Sequence, residues 1–235
     1  MLAPRKKLWS TPSSAIDVAL DFAHPLDDHD VVYDVGCGDG RVLIQMASRS
    51  VPRSDSDDDR ANYCDNDTDN NNSTATSQQS PPTHQHYCKQ FIGIEISTER
   101  AEEARSNIRH AQESNQIPSH VSIEIICANA LDTDSIDYSK ATVIFLYLVP
   151  RGLRLIKPII WPKEEEVALL DNHDDSEMET PLSEKRVQQK SNNRCRRRVI
   201  TYMSPFEDEE YVRKELCRVD HQVGAAWPVY LYHIK

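Results

Sequence analysis

Apolar residues recur along the chain with two different periods. Short apolar runs bounded by turn residues are typical of buried strands, whereas apolar residues that recur with the helical period predict helices. A regular alternation of the two predicts an α/β fold, in which helices cover a mostly parallel sheet. We expect strands at 31–35, 91–95, 121–128, 141–149, 198–203, 212–219 and 227–234, and helices at 13–23, 41–47 and 97–112.

The first helix carries its own start signals. Ser10 and Thr11 both precede the apolar face, and either side chain is placed to cap the free amides of the first turn. Pro12 falls at the first turn, where its fixed φ is compatible with a helix. We therefore expect the helix to begin directly after these residues.

Two segments interrupt the pattern. Residues 51–85 consist mostly of Asp, Asn, Ser, Thr, Gln and Pro, which cannot bury enough apolar surface to offset the entropy lost on ordering. Residues 162–193 are similar, apart from a short apolar stretch at 167–170. We expect both segments to be disordered insertions within a single domain that spans residues 1–235.

The net charge of −11 belongs mainly to these two insertions. Residues 51–85 hold seven Asp against two Arg, and residues 162–193 hold nine acidic against four basic residues, which leaves 22 acidic and 21 basic residues elsewhere. A nearly neutral remainder offers no basic surface for a phosphate backbone, so we expect no binding to duplex nucleic acid. No apolar run reaches the roughly 18 residues needed for a membrane span.

The six Cys lack the regular spacing of a disulfide scaffold, and no standard set of zinc ligands is evident. The N-terminus has basic residues without an apolar stretch after them, which argues against a secretory signal. We expect reduced thiols, no metal and an intracellular protein of the cytoplasm, with a mitochondrial location as the alternative. The pattern does not predict the oligomeric state.

Candidate chemistry is concentrated in residues 31–44, where an apolar strand ends in Asp34 and turns into a helix. Gly36, Gly38 and Gly40 make up this turn. Glycines permit positive φ and let a ligand lie on the backbone, whose free amides at the helix start favour polar ligand groups. A dinucleotide fingerprint needs its third glycine one position later, where this chain has arginine, so NAD is the weaker alternative.

Asp34 and the G-x-G-x-G turn resemble the first motif of the Rossmann-like S-adenosylmethionine-dependent methyltransferases (EC 2.1.1). The resemblance implies S-adenosylmethionine as cofactor and a mostly parallel, seven-stranded sheet with an antiparallel last strand and helices on both faces. It also implies that Asp34 helps to hold the cofactor's ammonium group. The turn, with Gly36, Cys37, Gly38 and Gly40, would contact the amino-acid part of the cofactor.

Two further strand ends match this family. Glu95 closes the second strand, where the family has an acid that accepts hydrogen bonds from the ribose hydroxyls. Glu95 comes 55 positions after Gly40, and removing residues 51–85 restores the spacing of about 20 that such a unit has. Asn129 and Ala130 follow the third strand, near the adenine in the family. Asn129 stands where Asp is usual, although its amide still offers an acceptor.

A narrower resemblance covers nearly the whole chain outside the insertions. Residues 9–12, 33–42, 145–154 and 198–206 are similar to methyltransferases that include the ATP synthase c-subunit lysine methyltransferase and its prokaryotic relatives. This resemblance implies a protein lysine as methyl acceptor. It argues against an adenine or glutamine acceptor, because the segment after the fourth strand lacks the Asn-Pro-Pro-Tyr motif of those enzymes.

Ligands of such sheets bind at the carboxyl ends of the strands, which suggests a role for Tyr147, and the resemblance suggests one for residues 9–12. Tyr147 follows the fourth strand, where its ring would form a pocket wall and its hydroxyl would orient the nucleophile, without acting as a general base. Trp9, Thr11 and Pro12 would fold over the cofactor. Simple packing remains the alternative for Tyr147, and residues 203–206 either line the acceptor cleft or only end a strand.

Three functions therefore stay open at this point. The first is methyl transfer to a protein lysine, and the second is methyl transfer to a small molecule or an RNA nucleotide. The third is a methyltransferase-like protein that binds a cofactor or partner without turnover.

Overall fold

The computed structural model describes residues 10–49, 88, 90–161, 197–218 and 224–234. Both predicted insertions and Trp9 lie outside the described residues. The helices are α1 (Ser13–Ala23), α2 (Arg41–Arg49), α3 (Thr98–Glu113) and α4 (Pro150–Ile160), with a short 3-10 turn at Tyr138–Lys140. The strands are β1 (Val31–Val35), β2 (Gln90–Glu95), β3 (Ser122–Cys127), β4 (Val143–Leu146), β5 (Arg197–Tyr202), β6 (Arg213–Arg218) and β7 (Ala226–Ile234).

The seven strands form one sheet in the order β3-β2-β1-β4-β5-β7-β6. Strands β1 to β5 pair in parallel, and β7 runs antiparallel to both of its neighbours. These findings confirm the predicted α/β class, the seven strands and the antiparallel last strand. From β1 the chain adds β2 and β3 on one side of the sheet and then crosses over to add β4 on the other side. In sheets of this kind a crevice opens at such a crossover point, beyond the carboxyl ends of the strands.

Side chains of the sheet alternate between two cores, one on each face. Val32 of β1 packs in the core that also contains the buried faces of α1, α2 and α3. Its neighbour Tyr33 packs in the opposite core with Leu153 and Ile156 of α4. The prediction of helices on both faces of the sheet is therefore confirmed. All four residues of β4 are buried between these two layers of helices, which accounts for the strand's continuous apolar sequence.

Two helices differ from the prediction. α1 begins where expected, but neither Ser10 nor Thr11 caps it, because the N-cap residue is Pro12 and no side chain makes a capping hydrogen bond. The sequence did not predict α4. Its first residue is Pro150, and proline is common at the start of a helix. Pro158 lies inside the helix near its end, where proline usually disfavours a helix. None of the described helices combines the length and the apolar character needed to cross a membrane.

Gly93 in β2 allows close packing beneath the turn that follows β1. A Cβ atom at this position would lie 2.6 Å from Cδ1 of Ile125, 2.7 Å from Cδ1 of Leu43 and 2.8 Å from Sγ of Cys37. Real Cβ atoms do not approach other atoms so closely, so a side chain at Gly93 would push its neighbours apart. Because Gly93 pairs in register with Asp34, this crowding would reach the turn itself.

We expect Gly93→Ala to lower the free energy of unfolding by about 1–3 kcal/mol, because it overpacks a close contact. Ile125→Val removes the Cδ1 atom that the new methyl group would meet first, so the double variant should recover part of the loss. Urea unfolding of the two single variants and the double variant measures this coupling. Strictly additive effects would contradict the packing account.

Candidate active site

The turn between β1 and α2 has a left-handed backbone at all three glycines. Their φ angles are 81° at Gly36, 59° at Gly38 and 79° at Gly40. The amides of Gly36 and Cys37 donate to the Ile94 carbonyl over 2.8 and 3.0 Å, which fastens the turn to the end of β2. Because L side chains rarely adopt this conformation, glycine is required here, as the sequence predicted.

The Glu95 carboxylate connects this turn to the beginning of α3. Its Oε2 accepts a hydrogen bond from the Gly38 amide at 3.0 Å, and its Oε1 accepts one from the Ser97 amide at 2.9 Å. The Ser97 hydroxyl in turn accepts from the Arg100 amide and caps α3. Each carboxylate oxygen has a second lone pair, so Glu95 retains capacity for ligand hydroxyls.

Asp34 is a buried carboxyl group at the base of the turn. Its side chain is on the same face of the sheet as that of Glu95, because Asp34 pairs in register with Gly93, two residues before Glu95. Among the described residues, Oδ2 of Asp34 has no hydrogen-bond partner. Burial raises the pKa of Asp34 to about 8, and the charges of Asp39 and Glu95 add to the increase. A buried carboxyl group without a partner is suited to a cationic ligand.

Two arginines that were not among the predicted site residues, Arg41 and Arg100, flank the turn. Arg41 binds the carboxylate of Asp39, with Nε at 3.0 Å from both oxygens. Burial alone would raise the pKa of Asp39, but the hydrogen bonds and charge of Arg41 outweigh it and lower the pKa overall. Arg100 of α3 extends its guanidinium over Gly38, into the space that a Cβ atom there would need.

A cavity of about 450 Å³ lies beyond the carboxyl ends of β1, β4 and β5. Its volume falls within the range of pockets that hold small ligands. Its lining consists of Ser10, Thr11, Asp34, Gly36, Cys37, Gly38, Asp39, Arg41, Val42, Arg100, Tyr147, Leu148, Val149, Pro150, Met203 and Ser204.

Most of the predicted site residues meet at this cavity. Those that line it are Thr11, Asp34, Gly36, Cys37, Gly38 and Tyr147. The other predicted residues, Gly40, Glu95, Asn129 and Ala130, are not part of its lining. The chain thus brings the glycine turn together with residues that follow β4 and β5.

Asn129 and Ala130 lie beside the end of β2. The Ala128 amide donates to the Glu95 carbonyl at 3.1 Å, so the residues that follow β3 continue next to Glu95. Oδ1 of Asn129 accepts a hydrogen bond from the Leu131 amide at 3.1 Å. The Ala130 carbonyl accepts one from the Tyr138 hydroxyl at 2.8 Å. Their contact with adenine stays a prediction.

Tyr147 forms the wall of the cavity on the side of β4 and β5. Its ring is half-buried and meets the Tyr202 ring edge-on, with 4.9 Å between the ring centres. Burial raises the pKa of the Tyr147 hydroxyl, so it stays protonated at neutral pH and is unsuited to act as a base. Met203 and Ser204 also line the cavity, so the segment after β5 does more than end a strand.

The thiol of Cys37 lies within the turn but is not reactive. It is 4% exposed, and burial raises its pKa, so it remains protonated at neutral pH. Cys37, Cys88, Cys127 and Cys217 are all free thiols. Within the described ranges, no group of three or more His, Cys, Asp or Glu is arranged to hold a metal ion.

The chain resembles known methyltransferases in sequence and in fold. No protein family model matches it. A protein-lysine N-methyltransferase of Saccharolobus islandicus (strain REY15A) is 28% identical over 148 residues, which cover 63% of this chain and 63% of that protein. The match therefore spans less than two thirds of the relative's length.

A solved structure resembles the chain over nearly its full length. It is an RNA methyltransferase from Salinibacter ruber in complex with S-adenosyl-L-homocysteine. The TM-score is 0.52 at 22% identity, and the match covers 96% of this chain and 94% of that one. Together with the strand order and the glycine turn, this likeness shows that the chain has the Rossmann-like methyltransferase fold.

Asp34 should reduce the stability of the ligand-free protein. The unfolded chain ionises Asp34 near pH 3.8, whereas the folded chain keeps it protonated up to about pH 8. The folded state thus binds the extra proton, and stability should fall as the pH rises between these values. We expect Asp34→Asn to be more stable than the wild type by several kcal/mol at pH 8, since each pKa unit is worth about 1.4 kcal/mol, with the difference vanishing near pH 4.

Urea unfolding between pH 4 and pH 9 measures this effect. Asp39→Asn is the matched control. Because the pKa of Asp39 is lowered, its ionised carboxylate stabilises the fold, and removing that charge should destabilise the protein at pH 8. Parallel pH profiles for the wild type and Asp34→Asn would contradict the account of Asp34.

Proposed function

We propose that this protein is an S-adenosylmethionine-dependent methyltransferase. One observation carries the proposal: Asp34 is a buried carboxyl group at the base of a glycine turn that opens into a cavity, and its Oδ2 atom has no hydrogen-bond partner among the described residues. A ligand with an ammonium and a sulfonium group supplies the positive charge that this carboxyl lacks. The lysine methyltransferase relative and the methyltransferase fold support the same activity.

The residues around the turn fit the amino-acid end of this cofactor. The backbone from Gly36 to Gly38 presents no side chain to the cavity except that of Cys37, and Thr11 also lines the cavity. We propose that Asp34 holds the cofactor's ammonium group. Arg100 covers Gly38, so we expect its guanidinium to shift when a ligand fills the site.

The remaining predicted residues are assigned to the nucleoside end. We propose that Glu95 accepts the ribose hydroxyls with the lone pairs that its two backbone hydrogen bonds leave free. Gly40 contributes by letting α3 approach the turn: a Cβ atom there would lie 3.3 Å from Cβ of Ala104. Asn129 and Ala130 would border the adenine beside Glu95.

The chain's main task in methyl transfer is to hold an acceptor in line and exclude water. The cofactor supplies an electrophilic methyl group on a positively charged sulfur. An acceptor amine must be neutral to attack, and the apolar side chains of Leu148, Val149 and Met203 favour the neutral form. The Tyr147 oxygen can accept an N–H from this amine, which leaves the nitrogen lone pair free to attack. We therefore propose Tyr147 as the catalytic residue that orients the nucleophile.

We propose a protein lysine as the acceptor. The segment that follows Ser204 is acidic, and Asp208 and Glu210 in it are exposed. Negative charge in the segment that follows the lining residue Ser204 attracts a cationic lysine segment and repels a phosphate backbone. The relative is a protein-lysine N-methyltransferase, which supports the same acceptor.

We expect the wild type to bind S-adenosylhomocysteine, and Asp34→Asn to bind it at least about tenfold more weakly, because the ammonium group loses its charged partner. Binding should release a proton below pH 8, since the ligand favours the ionised form of Asp34. Wild-type affinity should therefore increase between pH 6 and pH 7.5, whereas Asp34→Asn should show a flatter profile. Calorimetry in two buffers of different ionisation enthalpy measures both effects. Glu113→Gln, at the exposed end of α3 and outside the cavity lining, is the control and should bind as the wild type does.

The acceptor class is tested by incubating a cell lysate with the protein and methyl-labelled S-adenosylmethionine. We expect label in the protein fraction, on lysine, and Tyr147→Phe should reduce the rate about tenfold or more with unchanged cofactor affinity. Label in RNA or in small molecules would contradict the lysine acceptor. Cofactor binding without any labelled fraction would favour a binding protein without turnover.

A further inference from the structure

Met203 has an unusual backbone conformation for its residue type. It directly follows β5, and its φ is 71°, in the left-handed region that favours glycine. Methionine has no short polar side chain that could compensate through a local hydrogen bond, as asparagine can. The conformation is held by a hydrogen bond of 2.8 Å from the Met203 amide to the Pro228 carbonyl of β7. Strained residues of this kind are concentrated at functional sites.

This conformation puts two consecutive side chains on one face of the sheet. Successive residues of a strand point to opposite faces, so Met203 should face away from Tyr202. Tyr202 belongs to the core on the face of α1 to α3, and Met203 packs against that same core. The left-handed residue therefore brings the Met203 side chain to the face where the cavity lies.

Met203 and Tyr147 follow neighbouring strands, because Leu146 at the end of β4 pairs in register with Thr201 of β5. Both line the cavity and both pack against the same core, and the Tyr147 ring is braced edge-on by Tyr202. The neighbouring lining residues Leu148 and Val149 are also apolar. Planar bases are read through hydrogen bonds to their edges, whereas an alkyl chain needs only apolar walls. The wall formed by Tyr147 and Met203 therefore suits an unbranched alkyl chain that ends in an amine.

We propose that Met203 is a specificity-determining residue on the acceptor side of the cavity. Its left-handed backbone holds a flexible thioether side chain beside Tyr147, and the two side chains bound a slot for the methylene groups of a lysine. The proposal rests on the proposed function and deepens it by assigning the residue that selects the acceptor's shape.

The test uses n-butylamine as a probe for the lysine side chain and ethylamine as a probe with the same charge and a shorter chain. Saturation-transfer NMR titrations are made on the full chain in the presence of S-adenosylhomocysteine. We expect the wild type to bind n-butylamine at least about fourfold more tightly than ethylamine, since each buried methylene adds a similar factor. Because both amines carry one positive charge, the difference isolates contact with the alkyl chain.

Variants at Met203 separate the side chain from the backbone strain. Met203→Ala removes the side chain, and Met203→Gly removes both the side chain and the strain. Both should lose the preference for n-butylamine while they keep their affinity for S-adenosylhomocysteine within about twofold. Met203→Leu keeps an apolar side chain of similar volume and should keep most of the preference.

The proposal is overturned if the wild type binds the two amines equally, or if Met203→Ala and Met203→Gly keep the preference. It is also overturned if adenine binds beside S-adenosylhomocysteine and n-butylamine does not. Failure of the proposed function is a separate result, because it would appear as absent binding of S-adenosylhomocysteine in calorimetry of the wild type.

Discussion

The site depends on one carboxylate that accepts two backbone hydrogen bonds. Glu95 binds the amides of Gly38 and Ser97, and so joins the turn after β1 to the start of α3. A glycine turn has more conformational freedom than any other backbone, so it needs such an anchor to keep one shape. The cavity floor at Gly36 to Gly38 and the position of Arg100 over it both follow from this connection.

Two carboxyl groups of the same short segment behave in opposite ways. Asp39 has a bidentate partner in Arg41, and its pKa is lowered. Asp34 is buried, its Oδ2 atom has no hydrogen-bond partner among the described residues, and its pKa is raised to about 8. A satisfied ion pair stabilises the turn locally, while the unsatisfied carboxyl costs stability until a cation arrives. Such a cost is typical of binding sites, where one local rule is broken for function.

The acceptor side of the cavity is assembled from segments that follow β4 and β5. Lys157 of α4 forms a half-buried ion pair of 2.6 Å with Glu209, and an exposed pair joins Arg154 to Glu207. The first residue of α4 lines the cavity, and so do Met203 and Ser204 just before these acids. The half-buried pair therefore fastens the two walls to each other, whereas the exposed pair adds little because water screens it.

Within the described residues, the sequence alone determined the seven strands, three of the four helices and the glycine turn with Asp34, because apolar periodicity and turn chemistry act over a few neighbouring residues. It also pointed to Tyr147, through the position after a buried strand. Only the tertiary structure decided that Arg100 covers Gly38, that Glu95 anchors the turn, and that Met203 faces the cavity. These features join residues far apart in the chain, and such contacts are set by how the sheet and helices pack, which no local pattern encodes.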